Sequence, residues 1–206
     1  MEENMKIITE HLWLRPINDS DKDKLKKWRN SYKEYFFSDD GKEISDEKHN
    51  RWFKRYTSLP PGTDQMFIAI KVGTTEEIGT IALYDINIDE RMAVLGRVLI
   101  LQQYQGHNYA QEMVNAIRDL AFNTMRLHRL IVEADLMNTK AQHIYFTSGF
   151  KTIGQRFIPA TKYLFRIVII LEMLNPDHDL RKPLRIESYD EDSDKHGYES
   201  QCDNIK

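Results

Sequence analysis

The residues with the clearest chemical potential lie in a turn that joins an apolar run to a long helix. The run covers residues 98–101, and the turn that follows contains Gln105, Gly106, His107 and Asn108. A helix leaves its first backbone N–H groups without partners, and these groups attract anions such as phosphate. Gly106 lets backbone approach a ligand closely, and Asn108 tolerates a left-handed conformation. The turn predicts a phosphate site, although a glycine before a helix is more often ordinary turn chemistry.

The helix after this turn has one apolar face. The spacing i, i+3, i+4 and i+7 is shared by Ala110, Met113, Val114, Ile117, Leu120 and Ala121. An apolar strand over residues 129–134 comes next. It is followed by Asn138, by a short helix that carries Tyr145, and by a Ser-Gly-Phe turn at residues 148–150. Strands connected by helices in this way predict an α/β arrangement.

This combination resembles the acetyl-CoA-dependent N-acetyltransferases of the GNAT superfamily. In that family a turn of the form Gln/Arg-x-x-Gly-x-Gly/Ala holds the pyrophosphate of coenzyme A. The matching residues here are 103–108, and Asn108 stands where the family has glycine or alanine. The family also has an Asn after the next strand, a Tyr seven residues later and then Gly-Phe, as Asn138, Tyr145 and residues 149–150 do here. The resemblance covers about residues 10–174.

The resemblance implies an α/β fold with a mixed, mostly antiparallel central sheet flanked by helices. It also implies acetyl-CoA as the co-substrate, and no metal ion. The residues expected to bind the CoA moiety lie at the strand end, in the turn, at the start of the long helix and around the short helix that follows the next strand. They are Val98, Leu99, Ile100, Gln105, Gly106, His107, Asn108, Tyr109, Ala110, Asn138 and Tyr145.

Acetyl transfer to an amine sets three chemical requirements. An amine with a pKa of about 10 is mostly protonated at neutral pH, so a base must remove a proton before the nitrogen attacks. The developing oxyanion needs a donor, for which we expect a backbone N–H near Leu99. The departing thiolate needs an acid, and the family match implies Tyr145, whose alternative role is packing on CoA or in the core.

Glu133 is our candidate for the base, because some protein N-acetyltransferases of the family carry a catalytic Glu at this position. Alternation along the strand places Glu133 on one face with Ile131 and Asp135, opposite Leu130, Val132 and Ala134. The competing interpretation is that Glu133 only pairs with a nearby Arg or Lys. Asp85 is the rival base, and His49 and His107 are more distant alternatives.

The acceptor side is expected to be built by the first two helices, as in other acetyltransferases. The residues assigned to substrate binding are Trp28, Arg29, Asn30, His49, Trp52 and Asp85. The sequence segments around Trp28-Arg29-Asn30 and His49 to Trp52 resemble those of GNAT enzymes that acetylate amines on nucleotide-linked sugars. The planar guanidinium of Arg29 suits bidentate binding of a phosphate or carboxylate, and the faces of aromatic side chains suit a nucleobase or a sugar ring. The alternatives are that the aromatic residues pack on the sheet and that Arg29 pairs with Asp39 or Asp40.

The remaining pattern supplies elements to position these residues. Strands are predicted over residues 6–14, 66–72, 78–86 and 162–174, with another beginning at residues 149–150. A first helix is capped by Asp19 or Ser20 and a second by Ser45, with a turn at residues 39–41 between them. We expect one domain over residues 1–174 and a polar, acidic, flexible tail over 175–206.

Composition excludes several classes of protein. The chain has 206 residues, 41% of them hydrophobic, and a net charge of −3. This charge gives no basic field for nucleic acid or an anionic membrane. The single Cys202 cannot form an internal disulfide, and no apolar run approaches the roughly 18 residues of a membrane span. We expect a cytoplasmic protein with a small-molecule amine substrate, no nucleic-acid or membrane partner, and a tail that could cover the second subunit of a homodimer.

The sequence therefore predicts an acetyl-CoA-dependent N-acetyltransferase that works by direct transfer. The favoured acceptor is the amine of a nucleotide-linked amino sugar. A polyamine is the alternative, supported by Leu127-His128-Arg129, which fits the ribosomal-protein and polyamine branch of the family. The N-terminus of a ribosomal protein is third, and a catalytically silent CoA-binding module is the alternative from a different class.

Overall fold

An eight-stranded mixed sheet forms the centre of the part of the chain that the structure describes. The structure is a computed structural model and describes residues 6–33, 42–60, 62–161 and 164–176. The strands are β1 (Ile7–Ile8), β2 (Leu12–Pro16), β3 (Gln65–Lys71), β4 (Glu77–Asn87), β5 (Met92–Ile100), β6 (Arg129–Asp135), β7 (Lys151–Thr161) and β8 (Leu164–Leu174). The helices are α1 (Lys22–Ser31), α2 (Asp46–Thr57), α3 (Tyr109–Asp119) and α4 (Thr139–Thr147). The predicted turn at 39–41, Cys202 and the tail beyond residue 176 lie outside the described residues.

The order of the strands is β1-β2-β3-β4-β5-β6-β8-β7. Each neighbouring pair is antiparallel except β5 and β6, which are parallel. Short turns join β1 to β2, β3 to β4 and β4 to β5, whereas α1 and α2 lie between β2 and β3. The helix α3 provides the crossover that the parallel pair requires. The mixed, mostly antiparallel sheet expected from the sequence is confirmed.

β5 and β6 are paired over only part of their lengths. Residues 92–94 of β5 lie beside residues 129–131 of β6, and the pairing stops there. Beyond this point β5 stays paired with β4, and β6 stays paired with β8. The two strands therefore part in the middle of the sheet and leave an edge of each exposed to a gap.

The helices cover both faces of the sheet. Met113, Val114 and Ile117 of α3 are buried in the larger core cluster, which also includes Tyr145 of α4. The apolar face predicted for α3 is confirmed, because its periodic residues are the ones that meet the sheet. On the other face, Leu25 of α1 and Phe53 of α2 pack in a second cluster.

The N-terminal strand predicted over residues 6–14 is wrong, because this segment forms a hairpin of β1 and β2. Ile7 pairs with Leu14 and Ile8 with Trp13. The turn is closed by Thr9, whose backbone N–H donates to the carbonyl of Leu12 at 2.8 Å and whose hydroxyl oxygen accepts from the N–H of Leu12 at 3.1 Å. These local bonds override the continuous β-propensity of the segment, because a Thr side chain offers the backbone an alternative partner.

Two helix starts can be compared with their predicted caps. The cap before α1 is Asn18 rather than Asp19 or Ser20. The side chain of Asn18 accepts a hydrogen bond from the N–H of Ser20 at 3.0 Å. In return, the side chain of Asp21 accepts from the N–H of Asn18 at 2.9 Å, which completes a capping box. A 3₁₀ turn over Asp19–Asp21 precedes α1. The predicted cap of α2 is confirmed, since Ser45 accepts from the N–H of Lys48 at 3.2 Å.

The last two strands form the C-terminal edge of the described sheet. β7 begins at Lys151, just after the predicted Gly-Phe turn, and β8 ends at Leu174 as expected. Among the described residues, none of the helices has the length and apolar character needed to cross a membrane.

Candidate active site

The glycine turn leads from β5 to α3 through three changes of backbone direction. A 3₁₀ turn over Gln102–Tyr104 follows β5, and Gln105 is extended. Gly106 then has φ 85°, and Asn108 has φ 59° and precedes α3 directly. The left-handed conformation at these two positions is the one that glycine and asparagine adopt most easily. Asn108 thus provides the turn that the second glycine of the family pattern would provide.

In the described part of the chain, most backbone N–H groups of this turn lack acceptors, although that of Gln105 donates to the carbonyl of Gln102 at 3.2 Å. The first helical bond of α3 runs from the N–H of Glu112 to the carbonyl of Asn108, at 3.0 Å. No described residue accepts a hydrogen bond from the N–H groups of residues 106–110, and the side chain of Asn108 does not cap the helix. Aligned donors at the positive end of a helix dipole are a suitable site for a diphosphate.

The surroundings of the turn fit an anionic ligand. A Cβ added to Gly106 would meet no atom within 4 Å, so the space beside the backbone is open. The first carboxylate of α3, Glu112, accepts from the hydroxyl of Thr9 and from the N–H of His11. Burial alone would raise the pKa of Glu112, but these hydrogen bonds hold that pKa below its ordinary value. The carboxylate of Glu112 is thus held by Thr9 and His11, which leaves the backbone N–H groups of the turn to an anionic ligand.

The predicted CoA residues of β5 lie on the strand edge that faces the gap. Val98, Leu99 and Ile100 come after the end of the β5–β6 pairing. Just before them the strand has a bulge, in which Arg97 takes a left-handed φ of 52° and the register with β4 shifts. A strand edge without a partner strand offers N–H and C=O groups to an extended ligand. The pantetheine arm of CoA is such a ligand.

Tyr145 lies in α4 and is buried against the larger core. Its ring makes an edge contact with Phe150, with centroids 5.8 Å apart. Its hydroxyl makes no hydrogen bond to any described residue. Burial, with a smaller effect of Tyr84, raises the pKa of Tyr145. The hydroxyl therefore keeps its proton at neutral pH, as an acid must.

Asn138 caps α4 rather than standing free in a pocket. Its side-chain oxygen accepts from the N–H of Ala141 at 3.1 Å. This bond fixes the start of the helix that carries Tyr145. The cap uses the amide oxygen, and the amide N–H₂ donates to no residue in the described part of the chain, so the predicted contact of Asn138 with CoA stays a prediction.

Glu133 is bound by an arginine. Arg156 of β7 places Nε 2.9 Å from Oε1 and Nη2 2.6 Å from Oε2 of Glu133. The alternation predicted for β6 is correct, since Leu130, Val132 and Ala134 are buried and the residues between them are half-buried. The structure thus shows the ion pair that was the competing interpretation of Glu133.

On the α1–α2 face of the sheet, Trp52, Tyr84 and Arg97 form an aromatic–guanidinium stack. The guanidinium carbon of Arg97 lies 4.8 Å from the ring centre of Tyr84 and 5.4 Å from that of Trp52. Tyr84 lies over Gly96, where a Cβ would come within 3.0 Å of its ring. Burial raises the pKa of Tyr84 to about 12, although Arg97 opposes the rise.

Asp85 follows Tyr84 inside β4, where the register with β5 is irregular between Tyr84 and Asn87. It has φ 50°, and its N–H donates to Asp64 at 3.0 Å. Partial burial and the Asp64 carboxylate raise the pKa of Asp85, while Arg97 and Arg55 oppose the rise. A carboxylate with a raised pKa is better suited to accept a proton near neutral pH than an ordinary one.

Other predicted acceptor residues have structural partners. His49 is buried, and its Nε2 lies 2.8 Å from the carbonyl of Lys22, so it ties α2 to α1. Burial lowers the pKa of His49. Asn30 bonds both the N–H and the carbonyl of Ile44, at 2.8 and 3.2 Å, and Trp28 packs against the second core cluster. These contacts give His49, Trp28 and Asn30 clear structural roles.

His107 and Tyr109 lie together at the turn. Their rings are stacked with centroids 5.5 Å apart, and Nδ1 of His107 lies 3.1 Å from the carbonyl of Gln105. His107 is therefore placed beside the expected pyrophosphate rather than on the α1–α2 face with Asp85.

Four residues near the gap were not assigned a role from the sequence: Thr80, Tyr84, Arg97 and Arg156. A charged residue inside the apolar run of β5 was the available signal for Arg97. Tyr84 directly precedes the predicted Asp85. Thr80 and Arg156 carried no signal, because their partners are distant in sequence.

A sheet whose central parallel strands part, beside a helix-start turn with free amides, defines an acyl-CoA-binding class of fold. The family description "Acetyltransferase (GNAT) domain" matches residues 11–151. The chain belongs to this family. In the described residues, no group of three or more His, Cys, Asp or Glu side chains is arranged to hold a metal ion.

The relatives of this chain include polyamine and ribosomal-protein acetyltransferases. A spermidine N(1)-acetyltransferase of Vibrio cholerae is 32% identical over 77 residues, which is 37% of this chain and 44% of the relative. The match thus spans less than half of that curated protein. The crystal structure of a Vibrio cholerae spermidine N-acetyltransferase with CoA and spermine has a TM-score of 0.69 at 21% identity, over 80% of this chain and 95% of the other. A putative ribosomal-protein-serine acetyltransferase from Vibrio cholerae has a TM-score of 0.65 at 18% identity, over 84% and 99%.

Proposed function

We propose that this chain transfers an acetyl group from acetyl-CoA directly to the primary amine of a small molecule. The observation that carries the proposal is the set of N–H groups over residues 106–110, which bond no residue that the structure describes and lie next to the gap between β5 and β6. These two features together suit a diphosphate followed by an extended arm. The thioester supplies an activated acetyl group, and the amine displaces the thiol from it.

The residues around the gap supply the remaining requirements. The amides of the turn hold the diphosphate, and the free edge of β5 aligns the arm. Tyr145 has a protonated hydroxyl, since burial raises its pKa, and we assign it to protonate the departing sulfur. Asp85 and Glu133 are the carboxylates available to take the proton of the amine. Asp85 is the better candidate, because both oxygens of Glu133 are occupied by Arg156.

A polyamine is the acceptor that we favour. Two relatives are named for acetylation of spermidine, and one of them was crystallised with spermine. The adjacent carboxylates of Asp64 and Asp85 support this choice, because Asp64 raises the pKa of Asp85 and a cationic polyamine would offset the repulsion between them. The nucleotide-linked amino sugar, which the sequence favoured, has weaker support, since neither relative is named for it.

The amino sugar nevertheless remains the second candidate because of Arg97. Its Nη1 is buried and forms no hydrogen bond with the described residues. A guanidinium held between Trp52 and Tyr84 could receive a phosphate or sugar oxygen. A polyamine offers no such acceptor, so Arg97 separates the two candidates.

An acetylation assay with a mixed acceptor panel tests the proposal. The panel contains spermidine, spermine, UDP- and dTDP-linked amino sugars and a peptide with a free N-terminus, and CoA release and the acetylated product are both measured. We expect acetylation of spermidine or spermine at the highest kcat/KM. Binding of CoA without acetylation of any member would instead support the catalytically silent module.

Arg97→Gln sharpens the choice of acceptor, with Arg51→Gln of α2 as a control that removes an exposed arginine. For a polyamine we expect kcat/KM of the variant to be unchanged or raised, because a like charge is removed. For a nucleotide sugar it should fall by about 10- to 100-fold, the loss of a charge-assisted hydrogen bond. A fall for spermidine would contradict our choice of a polyamine.

A further inference from the structure

Thr80 holds one peptide group at the edge of the gap. It is 3% exposed, and its hydroxyl donates to the carbonyl oxygen of Arg97 at 2.9 Å. A buried hydroxyl requires a hydrogen-bond partner, and the partner of this hydroxyl of β4 lies on the neighbouring strand β5. The acceptor is the first residue of the β5 bulge, so Thr80 acts on the place where the strand changes course.

The direction of this bond fixes the direction of the next N–H group. In a planar trans peptide the C=O and the following N–H point in opposite directions. The Arg97 carbonyl points toward β4, where Thr80 lies, so the N–H of Val98 points away from β4. On that side β6 has already parted from β5. The N–H of Val98 is therefore directed into the gap.

Gly79 supports the same arrangement one step further along. A Cβ at Gly79 would lie 2.0 Å from the carbonyl oxygen of Leu99, so that carbonyl also lies against β4. By the same planarity, the N–H of Ile100 faces the gap. The pair Gly79 and Thr80 thus turns two carbonyls of β5 toward β4 and two N–H groups away from it.

The bulge needs an external support. Arg97 and Val98 stand opposite the single residue Ile81, since Thr80 pairs with Leu99 and Ala82 with Gly96. A left-handed φ is unfavourable at a residue other than glycine. Such strained backbone persists only where its surroundings hold it. The Thr80 hydroxyl supplies a bond to the carbonyl of the strained residue.

We propose that Thr80 is a positioning residue for acetyl transfer, which acts by aiming the N–H of Val98 at the acetyl carbonyl oxygen. The inference rests on the proposed function. The amine nitrogen forms a bond to the carbonyl carbon while the bond from that carbon to sulfur breaks, the proton of the amine passes to the base, and Tyr145 protonates the sulfur. Negative charge develops on the carbonyl oxygen, and a preorganised donor stabilises it.

Kinetics of Thr80→Val and Thr80→Ser test the role of the hydroxyl. Valine keeps the shape of the side chain and removes the hydrogen bond, whereas serine keeps the bond. We expect Thr80→Val to lower kcat about 10- to 100-fold, below the full loss of an oxyanion donor. The dissociation constant of CoA should stay within about twofold, and Thr80→Ser should retain about a third of kcat or more. Thr152→Val, on exposed β7, is the control and should change nothing.

The amide ¹⁵N shift of Val98 tests the geometry without turnover. We expect the shift to differ between the complexes with CoA and acetyl-CoA in the native chain, and the difference to disappear in Thr80→Val. If the native chain acetylates no amine but shows this difference, the proposed function fails while the geometric inference stands. An unchanged kcat in Thr80→Val, or equal Val98 shifts in both native complexes, would overturn the assignment of Thr80.

Discussion

Arg156 binds both carboxylate oxygens of Glu133, with contacts of 2.9 and 2.6 Å. The pair joins β6 to β7 across β8, which lies between them in the sheet. In this bidentate arrangement both oxygens of the carboxylate are engaged by one guanidinium. Glu133 is thus less available to take a proton from a substrate amine, and the pair has a structural use of its own.

Replacing either partner of this pair should therefore have a small effect on catalysis. We expect Glu133→Gln and Arg156→Gln each to lower kcat less than about tenfold, below the range of a lost general base. The double variant should resemble either single variant, because residues in one ion pair are not additive. Steady-state kinetics of the three variants measure this. A loss of 100-fold or more in Glu133→Gln, with Arg156→Gln unaffected, would restore Glu133 as the base.

Asp85 should dominate the acid side of the pH profile. Its pKa is raised by partial burial and by Asp64, and a base must be deprotonated, so kcat/KM should fall as the pH drops through this raised pKa. Asp85→Asn should lower kcat/KM by about 100-fold or more and remove this acid limb. Asp64→Asn is the matched control, in which the limb should move to lower pH. An acid limb that survives in Asp85→Asn would exclude Asp85.

Tyr145→Phe should slow turnover without affecting folding. The hydroxyl bonds no described residue, so its removal leaves no group in that part of the chain without a partner. We expect kcat to fall about 10- to 100-fold while Tm and the dissociation constant of CoA stay near those of the native chain. Because burial raises the pKa of Tyr145, the native enzyme should keep its acid protonated up to at least pH 10. An unchanged kcat would leave Tyr145 as a packing residue only.

Gly106→Ala should weaken CoA binding beyond its cost in stability. Gly106 has φ 85° and Gly73 has φ 76°, and an added Cβ at either would meet nothing within 4 Å. Both substitutions should therefore cost about 1–2 kcal/mol of stability from backbone strain. Only Gly106→Ala should also raise the dissociation constant of CoA, by about tenfold, in calorimetric titration. Equal CoA binding by the two variants would place the diphosphate elsewhere.

Asp21 should make the fold sensitive to acid. It is fully buried, and burial would raise its pKa, but hydrogen bonds from Arg15 and Lys24 hold it at about 2 against an ordinary 3.8. A lowered folded pKa contributes stability above the unfolded value, and this is lost as the pH falls from about 4 to 2. The shift corresponds to about 2 kcal/mol. Urea unfolding at pH 7 and pH 3 should show a loss of stability in the native chain that exceeds the loss in Asp21→Asn by about 1 kcal/mol, since pH 3 lies between the two pKa values.

The fold could be predicted well because its signals are local. The period of α3, the Ser45 cap and the alternation of β6 each depend on residues a few positions apart. The β1–β2 hairpin was missed although the bonds between Thr9 and Leu12 that close its turn are local, because the continuous β-propensity of the segment hides the turn. The hydroxyl of Thr9 also contacts Glu112 of α3. No short window of sequence contains that contact.

The site was predictable in part for the same reason. The turn around Gly106 is contiguous, and its left-handed Asn108 follows from residue type. The partner of Glu133 is 23 positions away, and Thr80 meets Arg97 across 17. Such contacts depend on strand order and register, which the alternation of apolar residues does not specify. The sequence therefore predicted the conformation of the glycine turn better than the long-range contacts of Glu133 and Thr80.

The three-residue pairing of β5 with β6 has a mechanical consequence. In the described sheet, the half formed by β1–β5 and the half formed by β6, β8 and β7 are joined by backbone hydrogen bonds only at residues 92–94 and 129–131. A pantetheine arm lying in the gap would hold the two halves together by hydrogen bonding to the free edges of β5 and β6. Ligand present at 100 times its dissociation constant adds about 2.7 kcal/mol to stability, and here this gain should appear as slower amide exchange on both sides of the opening at once.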